Sequence, residues 1–142
     1  TADQFSEAFG KFWGYTNVAR EGVPFLSDNG SLTFVSGNPA RKCNVGMSSI
    51  SCTGCAVEGL TRALALEIAP KRVNVVAPGL IETGMHDHFG ENKAKVMASM
   101  GKNVLLGRVG QSEEVAEAIL LCMSNSFMTG ATIDVDGGAL LP

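Results

Sequence analysis

The segment Leu60-Thr-Arg-Ala-Leu-Ala-Leu-Glu-Ile-Ala-Pro70, followed by Arg72-Val-Asn-Val-Val-Ala-Pro-Gly79, decides the fold of this chain. Apolar residues recur at helical spacing in the first part, so the sequence predicts a helix from Thr53 to Ala69 that Pro70 closes. The second part is a β-branched apolar run, which predicts a buried strand over Val73–Ala77 and then a turn. A helix leading into a buried strand is the basic unit of α/β proteins.

Similar patterns predict elements on both sides of this segment. The predicted helices cover Asp3–Leu26, where Pro24 interrupts the pattern, and Ser112–Met123. The predicted buried strands cover Ser31–Ser36 and Ala131–Asp136, and a polar loop and helix cover Met85–Met100. Because parallel strands need helical crossovers, the alternation predicts an α/β fold with a partial parallel sheet of about three strands.

Composition is typical of one globular domain over residues 1–142, with 45% hydrophobic and 18% charged residues. The net charge is -3, and no run of basic residues suggests binding to nucleic acid or to an anionic membrane. No apolar run approaches the roughly 20 residues of a membrane span, and no signal peptide is recognisable. We therefore expect a soluble intracellular protein of the cytoplasm, with sequence upstream of Thr1.

The quoted segment resembles the short-chain dehydrogenase/reductase family. The resemblance rests on the Leu60–Pro70 helix, on Arg72-Val-Asn74, on the offset from Pro78 to Thr83 and on the Val135-Asp-Gly-Gly138 ending. It covers nearly all of the chain and implies the C-terminal half of a doubly wound, Rossmann-like dehydrogenase. The glycine-rich G-x-G-x-x-G turn that holds the pyrophosphate in such folds is absent from the chain.

The resemblance also implies a cofactor-binding loop. In the family, the loop after the strand contacts the nicotinamide carboxamide, and the matching residues here are Pro78, Gly79, Leu80, Ile81 and Thr83. The implied cofactor is NAD or NADP, bound if an N-terminal half is present and otherwise weakly or not at all. The choice between them stays open, because the residues that select the cofactor follow a strand that this chain lacks.

The family's catalytic positions carry unsuitable residues. Family members transfer a hydride between nicotinamide and an alcohol or ketone with the help of Asn, Ser, Tyr and Lys side chains. The matching positions are Phe12, Gly37, Ile50 and Gly54, and the only tyrosine, Tyr15, lies far upstream. The sequence therefore predicts no catalytic residue and an impaired oxidoreductase, because general acid catalysis is worth about 10²- to 10⁴-fold.

Two observations leave room for residual chemistry. A divergent branch of the family has a similar Lys-Phe-Trp-Gly helix, here Lys11–Gly14. Inheritance from such a branch is one explanation for the replacements at the catalytic positions. His86 and His88 lie where the family has a substrate lid. A lid histidine could donate a proton near neutral pH, and the alternative interpretation is a solvated loop.

Two other classes of function stay open at this stage. One is a non-catalytic dehydrogenase-like protein that forms homo- or hetero-oligomers through helices 3–26 and 53–69, whose small residues permit close contact. The other is a thiol redox or metal module at Cys52-Thr-Gly-Cys55, where the start of a helix would lower a thiol pKa. A zinc site needs two further ligands, and only Cys43 lies near in sequence, so no metal site is predicted.

Overall fold

A computed structural model describes all 142 residues. Five strands and four α-helices follow one another along the chain. In order, they are α1 (Ala2–Gly22), β1 (Ser31–Val35), α2 (Ser48–Glu67), β2 (Arg72–Pro78), β3 (Ile81–Glu82), α3 (Lys93–Gly101), β4 (Gly110–Gln111), α4 (Ser112–Ser124) and β5 (Thr132–Val135). Short 3₁₀ segments cover Val23–Phe25, Asn38–Ala40 and Gly84–Asn92.

The main sheet contains three parallel strands in the order β1-β2-β5. Side chains alternate between the two faces of a strand, and β2 is apolar on both. Val73 and Val75 join a cluster with α1 and α2, whereas Val76 packs with Ala118 and Cys122 of α4. Helices therefore cover both faces of the sheet, which confirms the predicted α/β class with about three strands and flanking helices.

Several predicted boundaries were wrong. Helix α1 ends at Gly22, since Pro24 starts a 3₁₀ turn instead of continuing the helix. Helix α2 begins at Ser48, five residues before the predicted start, although Met47 provides no side-chain cap. Strand β1 is at the edge of the sheet, and Phe34 is its one buried residue.

The pair of two-residue strands, β3 and β4, was not predicted. They form a separate parallel ladder in which Ile81 pairs with Gly110. The ladder joins the loop after β2 to the beginning of α4. The cap of α4 is Gln111, whose side chain and that of Glu114 form a capping box.

Arg72 and Asn74 connect β2 to the chain that follows α4. The buried guanidinium of Arg72 donates to the carbonyl oxygens of Cys122, Met123 and Met128 over 2.7, 2.7 and 3.2 Å. The fully buried amide of Asn74 donates to Met128 and accepts from the backbone N–H of Ala131. These two side chains thus satisfy buried backbone groups that no strand or helix partner reaches.

Asp136 holds together the loops at the carboxyl edge of the sheet. Its carboxylate accepts from the backbone N–H groups of Gly138 and Leu140 and from Nδ2 of Asn38, which follows β1. Gly137 and Gly138 have φ values of 63° and 83°, a conformation that glycine tolerates best. The Val135–Gly138 ending therefore forms a tight turn after β5.

The helices provide no candidate for crossing a lipid bilayer, because none is both long and apolar enough.

Candidate functional site

The loop that follows β2 lines a cleft at the carboxyl edge of the sheet. The cleft has a volume of about 460 Å³, and all five predicted loop residues, Pro78, Gly79, Leu80, Ile81 and Thr83, contribute to its wall. Further walls come from the end of β1, from Met85 and His86, and from the start of α4. Ligands of open α/β sheets bind at this edge, so the loop occupies a position suited to binding.

Contacts with the scaffold hold the loop in place. The Gly79 N–H donates to the Val135 carbonyl over 3.0 Å, and Gly110 donates to the Leu80 carbonyl over 2.9 Å. A Cβ atom on Gly79 would lie only 2.8 Å from the Cα of Asp136, so this approach requires glycine. The Thr83 hydroxyl accepts from the Met85 N–H and begins the 3₁₀ segment that flanks the cleft.

A second cavity, of about 320 Å³, lies next to the cleft. The cavity is lined by Ile50, Gly54 and Gly37, three of the four positions that the resemblance matches to the family's catalytic residues. Ile50 is half exposed. Phe12, at the fourth position, packs against the core cluster instead of lining either cavity.

Gly54 lies tightly against the 3₁₀ turn that follows β1. A Cβ atom on Gly54 would lie 2.9 Å from the Cβ of Ala40, closer than real Cβ atoms come to one another. The Cys55 thiol donates to the Ala40 carbonyl over 3.0 Å. The turn therefore fills space that a side chain at position 54 would need.

Lys11 reaches the boundary between the two cavities, which share Lys11, Ser36, Gly37 and Pro39 as lining residues. Its Nζ donates to the Ser36 carbonyl over 3.3 Å. Lys11 as a whole is an exposed residue, but partial burial of its ammonium group lowers the pKa. The sequence pattern did not indicate Lys11 as a site residue, although it begins the Lys-Phe-Trp-Gly stretch.

Tyr15 lies one helical turn after Lys11, so the chain does bring a phenol beside a lysine. The Lys11 Nζ is 5.8 Å from the centre of the Tyr15 ring. However, Tyr15 stacks on Phe34, and its hydroxyl donates to the Val35 carbonyl over 3.3 Å. Burial raises the pKa of Tyr15, and the residue lines neither cavity, so its contacts are those of a core residue.

The two histidines have different surroundings. His86 lines the cleft, while His88 is exposed and its Nδ1 lies 2.9 Å from the Met85 carbonyl oxygen. Both rings contact Phe89 within the 84–92 segment. Among the two predicted candidates for proton transfer, only His86 therefore faces the cleft.

Cys52 and Cys55 lie beyond the first turn of α2, because the helix begins at Ser48. The expectation that they sit at a helix start was therefore wrong, and the argument for thiols activated by the helix dipole loses its premise, since that effect fades after the first turn. No group of three or more His, Cys, Asp or Glu side chains converges on one point in the structure.

Comparisons with known proteins identify the family. The family model described as Enoyl-(Acyl carrier protein) reductase matches residues 1–139. A short-chain dehydrogenase/reductase of Stachybotrys chlorohalonatus is 43% identical over 111 residues, which are 78% of this chain and 44% of that protein. The chain spans about half the length of the curated relatives it matches.

Two solved structures are also similar. A small-chain dehydrogenase in complex with NADPH is 35% identical, with a TM-score of 0.91 over all of this chain and 66% of that one. An NADPH-bound short-chain oxidoreductase from Pseudomonas aeruginosa PAO1, described as containing an atypical catalytic center, is 31% identical with a TM-score of 0.89. That match covers 97% of this chain and 58% of the other. From the family model, the sequence identity and the shared fold, we conclude that this chain belongs to the short-chain dehydrogenase/reductase family.

Proposed function

We propose that the chain forms the nicotinamide- and substrate-binding half of an NAD(P)-dependent oxidoreductase. Its substrate class is a small alcohol or ketone, and its catalytic centre lacks the family's tyrosine and lysine. The observation that carries this proposal is the cleft of about 460 Å³, which all five loop residues from Pro78 to Thr83 line at the carboxyl edge of the sheet. The NADPH bound to two similar structures supports the choice of cofactor.

The lining of the cleft fits a nicotinamide group and not a whole dinucleotide. Backbone groups and the Thr83 hydroxyl offer hydrogen bonds of the kind that a carboxamide uses, and apolar side chains such as Ile81 and Val115 offer a surface for a ring. Its ionisable side chains are Lys11 and His86 alone. Groups outside these residues must therefore hold the anionic pyrophosphate, in keeping with a chain about half the length of its relatives.

Each part of the cleft has a role in this proposal. Nicotinamide, when bound, supplies or accepts the hydride. The loop from Pro78 to Ile81 orients the ring, because Gly79 and Leu80 are tied to the scaffold by backbone hydrogen bonds. Met85 and His86 border the space left for a small carbonyl compound. Ile50 and Gly54 cannot exchange protons, so turnover is slower than with a lysine-tuned phenol.

Binding of reduced nicotinamide tests the proposal directly. We expect NADH or NADPH fluorescence to change on addition of the natural full-length protein. Thr83→Ala should raise the Kd by about 2- to 10-fold through loss of one hydrogen bond. Thr83→Ser keeps the hydroxyl and should bind like the wild type.

The matched control is Thr16→Ala, which removes a hydroxyl that bonds only within α1, to the Trp13 carbonyl. It should leave binding unchanged. If the wild-type protein binds neither NADH nor NADPH, the proposed function is wrong. An unchanged Kd for Thr83→Ala would remove Thr83 from the binding site.

Association through α1 and α2 is a second proposal, which does not depend on catalysis. The outer surfaces of these helices expose Trp13, Val18 and Leu66, with 60%, 59% and 84% of each residue accessible. Cβ atoms on Gly14 and Gly59 would meet nothing within 4 Å, so a second helix could approach closely. We propose that a homo- or hetero-oligomer covers these surfaces.

Sedimentation velocity provides the test of association. The wild type should sediment as an oligomer, and Trp13→Glu should shift it toward the monomer because it places a charge in the contact. Glu21→Gln, at an exposed position near the end of α1, is the control and should not change the sedimentation coefficient. A wild-type monomer in the absence of any other protein would contradict a homo-oligomer.

A further inference from the structure

We propose that Lys11 is the proton donor of this site, replacing the tyrosine that the chain lacks. The inference rests on the proposed function, since it assigns a residue to the same hydride-transfer site. It comes from the position of Lys11 at the boundary between the nicotinamide cleft and the neighbouring cavity beside Ile50 and Gly54.

The two cavities share four lining residues, Lys11, Ser36, Gly37 and Pro39. Lys11 is the one ionisable side chain among them. A carbonyl compound bound between the nicotinamide loop and Ile50 would therefore contact one group, Lys11, that lines both cavities and can exchange a proton. In this proposal the proton donor lies on α1, whereas the family's tyrosine position lies on α2.

The ammonium group is held by its surroundings. It donates to the Ser36 carbonyl over 3.3 Å and lies 5.8 Å from the centre of the Tyr15 ring, both on elements packed in the core. One hydrogen bond leaves two of its three N–H groups for other acceptors. Partial burial of the ammonium group lowers the pKa of Lys11, which favours release of its proton.

Charged and titratable groups surround Lys11 on several elements. Glu7 lines the second cavity from α1, His86 lines the cleft from the 84–92 segment, and Tyr15 lies beneath the ammonium group. Glu58 of α2 accepts from the Ser36 hydroxyl and pairs with Arg41 over 3.6 Å. Glu58 is therefore already engaged by a cation other than Lys11.

The proposed step balances in the direction of reduction. A hydride from reduced nicotinamide forms a C–H bond at the carbonyl carbon, and the C=O π electron pair moves to oxygen. Lys11 Nζ gives a proton to that oxygen, which completes the alcohol. The neutral amine then takes a proton from water, and the reverse sequence oxidises an alcohol.

Replacement of Lys11 by arginine separates chemistry from structure. Arginine keeps the positive charge and a donor for the Ser36 carbonyl, but its pKa is too high for proton transfer near neutrality. With NADPH or NADH and the probes ethyl acetoacetate and 9,10-phenanthrenequinone, Lys11→Arg should lower kcat for reduction by about 10²-fold. Lys11→Met should lower it at least as much, while the Kd for reduced nicotinamide stays within about twofold.

Lys42→Met is the matched control. Lys42 also donates from Nζ to a backbone carbonyl, that of Ala139, but it lines neither cavity. This variant should keep the wild-type kcat. His86→Gln tests the competing donor and should lower kcat less than Lys11→Arg does.

A spectroscopic titration and a pH profile complement the comparison of rates. In the wild type, NMR of ¹³C-methylated lysines should show Lys11 titrating below its ordinary value of 10.5, with a further shift when a non-reducible carbonyl analogue, acetamide, binds. The wild-type rate of reduction should also fall as pH rises through that pKa, because the acid form is lost. Lys11→Arg should lack this decline.

The outcomes distinguish the two levels of the proposal. If the wild type reduces the probes and Lys11→Arg retains its rate, Lys11 has a structural role and the inference is overturned. A larger loss in His86→Gln than in Lys11→Arg would overturn it as well, in favour of the histidine. Failure of the wild type to bind reduced nicotinamide, or to reduce either probe, would instead overturn the proposed function and the inference with it.

Discussion

The contacts of Arg72 and Asn74 contrast with those of Ile50 and Gly54. Arg72 and Asn74 match the family pattern, are buried and bond to backbone groups around Met128. Ile50 and Gly54 depart from the pattern, and both line a cavity. The side chains that hold the sheet together are thus distinct from those around the second cavity, and the fold is kept although Ile50 and Gly54 depart from the family pattern.

We expect the largest loss of stability when the hydrogen bonds of Arg72 are removed. Arg72→Met removes three hydrogen bonds from a charged donor and leaves buried carbonyl groups without partners. We expect a loss of at least about 3 kcal/mol in the free energy of unfolding. Urea denaturation measures it, with Arg62→Met as an exposed control expected within about 0.5 kcal/mol of the wild type. Equal stabilities would mean that the Arg72 bonds contribute nothing.

Gly79 lies in the loop after β2, and its replacement should cause the next largest loss of stability. In Gly79→Ala the new methyl group would clash with the backbone of Asp136, which has little freedom to move. We expect about 2 kcal/mol of destabilisation. Thermal and urea unfolding measure the loss. A variant as stable as the wild type would show that the loop after β2 can separate from the turn after β5.

Two glycines of helix α2, Gly54 and Gly59, offer a sharper comparison. At protein concentrations where the subunit is a monomer, Gly59→Ala should stabilise α2 by up to about 1 kcal/mol, because its Cβ meets open space within the subunit. Gly54→Ala should instead destabilise the protein by about 1 kcal/mol through the contact with Ala40. In an Ala40→Gly background the two alanine substitutions should have similar effects, as measured by a double-mutant cycle. Additive effects of the Gly54 and Ala40 substitutions would rule out the clash.

The smallest expected effect concerns acid stability at the start of α4. The bonds from Arg108 and then from the Gln111 N–H lower the pKa of Glu114 from 4.5 to about 2. A lowered folded-state pKa stabilises the protein above the unfolded value, and this stabilisation is lost as pH falls from about 4.5 through 2. The difference in Tm between wild type and Glu114→Gln should therefore shrink over this range. A difference that is constant with pH would contradict the assignment.

The sequence predicted some elements of the fold and missed others. Periodic apolar residues predicted the three main strands and the helices around them, because burial imposes a period on long segments. Strands β3 and β4 were not predicted, because two residues are too few to show a hydrophobic period. The period also missed the start of α2, where the serines of residues 48–51 favour a helix only weakly.

The candidate site was predictable in part. The resemblance to the family implied the Pro78–Thr83 loop as a binding loop and Ile50 and Gly54 as the matches to catalytic positions, and the structure places these residues along the walls of the two cavities. The position of Lys11 was not predictable in this way. Its contact with Ser36 joins residues 25 positions apart and depends on how α1 crosses the end of β1.

The contact between Gly54 and Ala40 makes position 54 depend on position 40. Any side chain at position 54, a lysine included, would begin with a Cβ atom 2.9 Å from that of Ala40. A larger residue at position 54 therefore costs less when glycine stands at position 40. Protein engineering that aims to place a new functional group at this end of the second cavity has to treat the two positions as a pair.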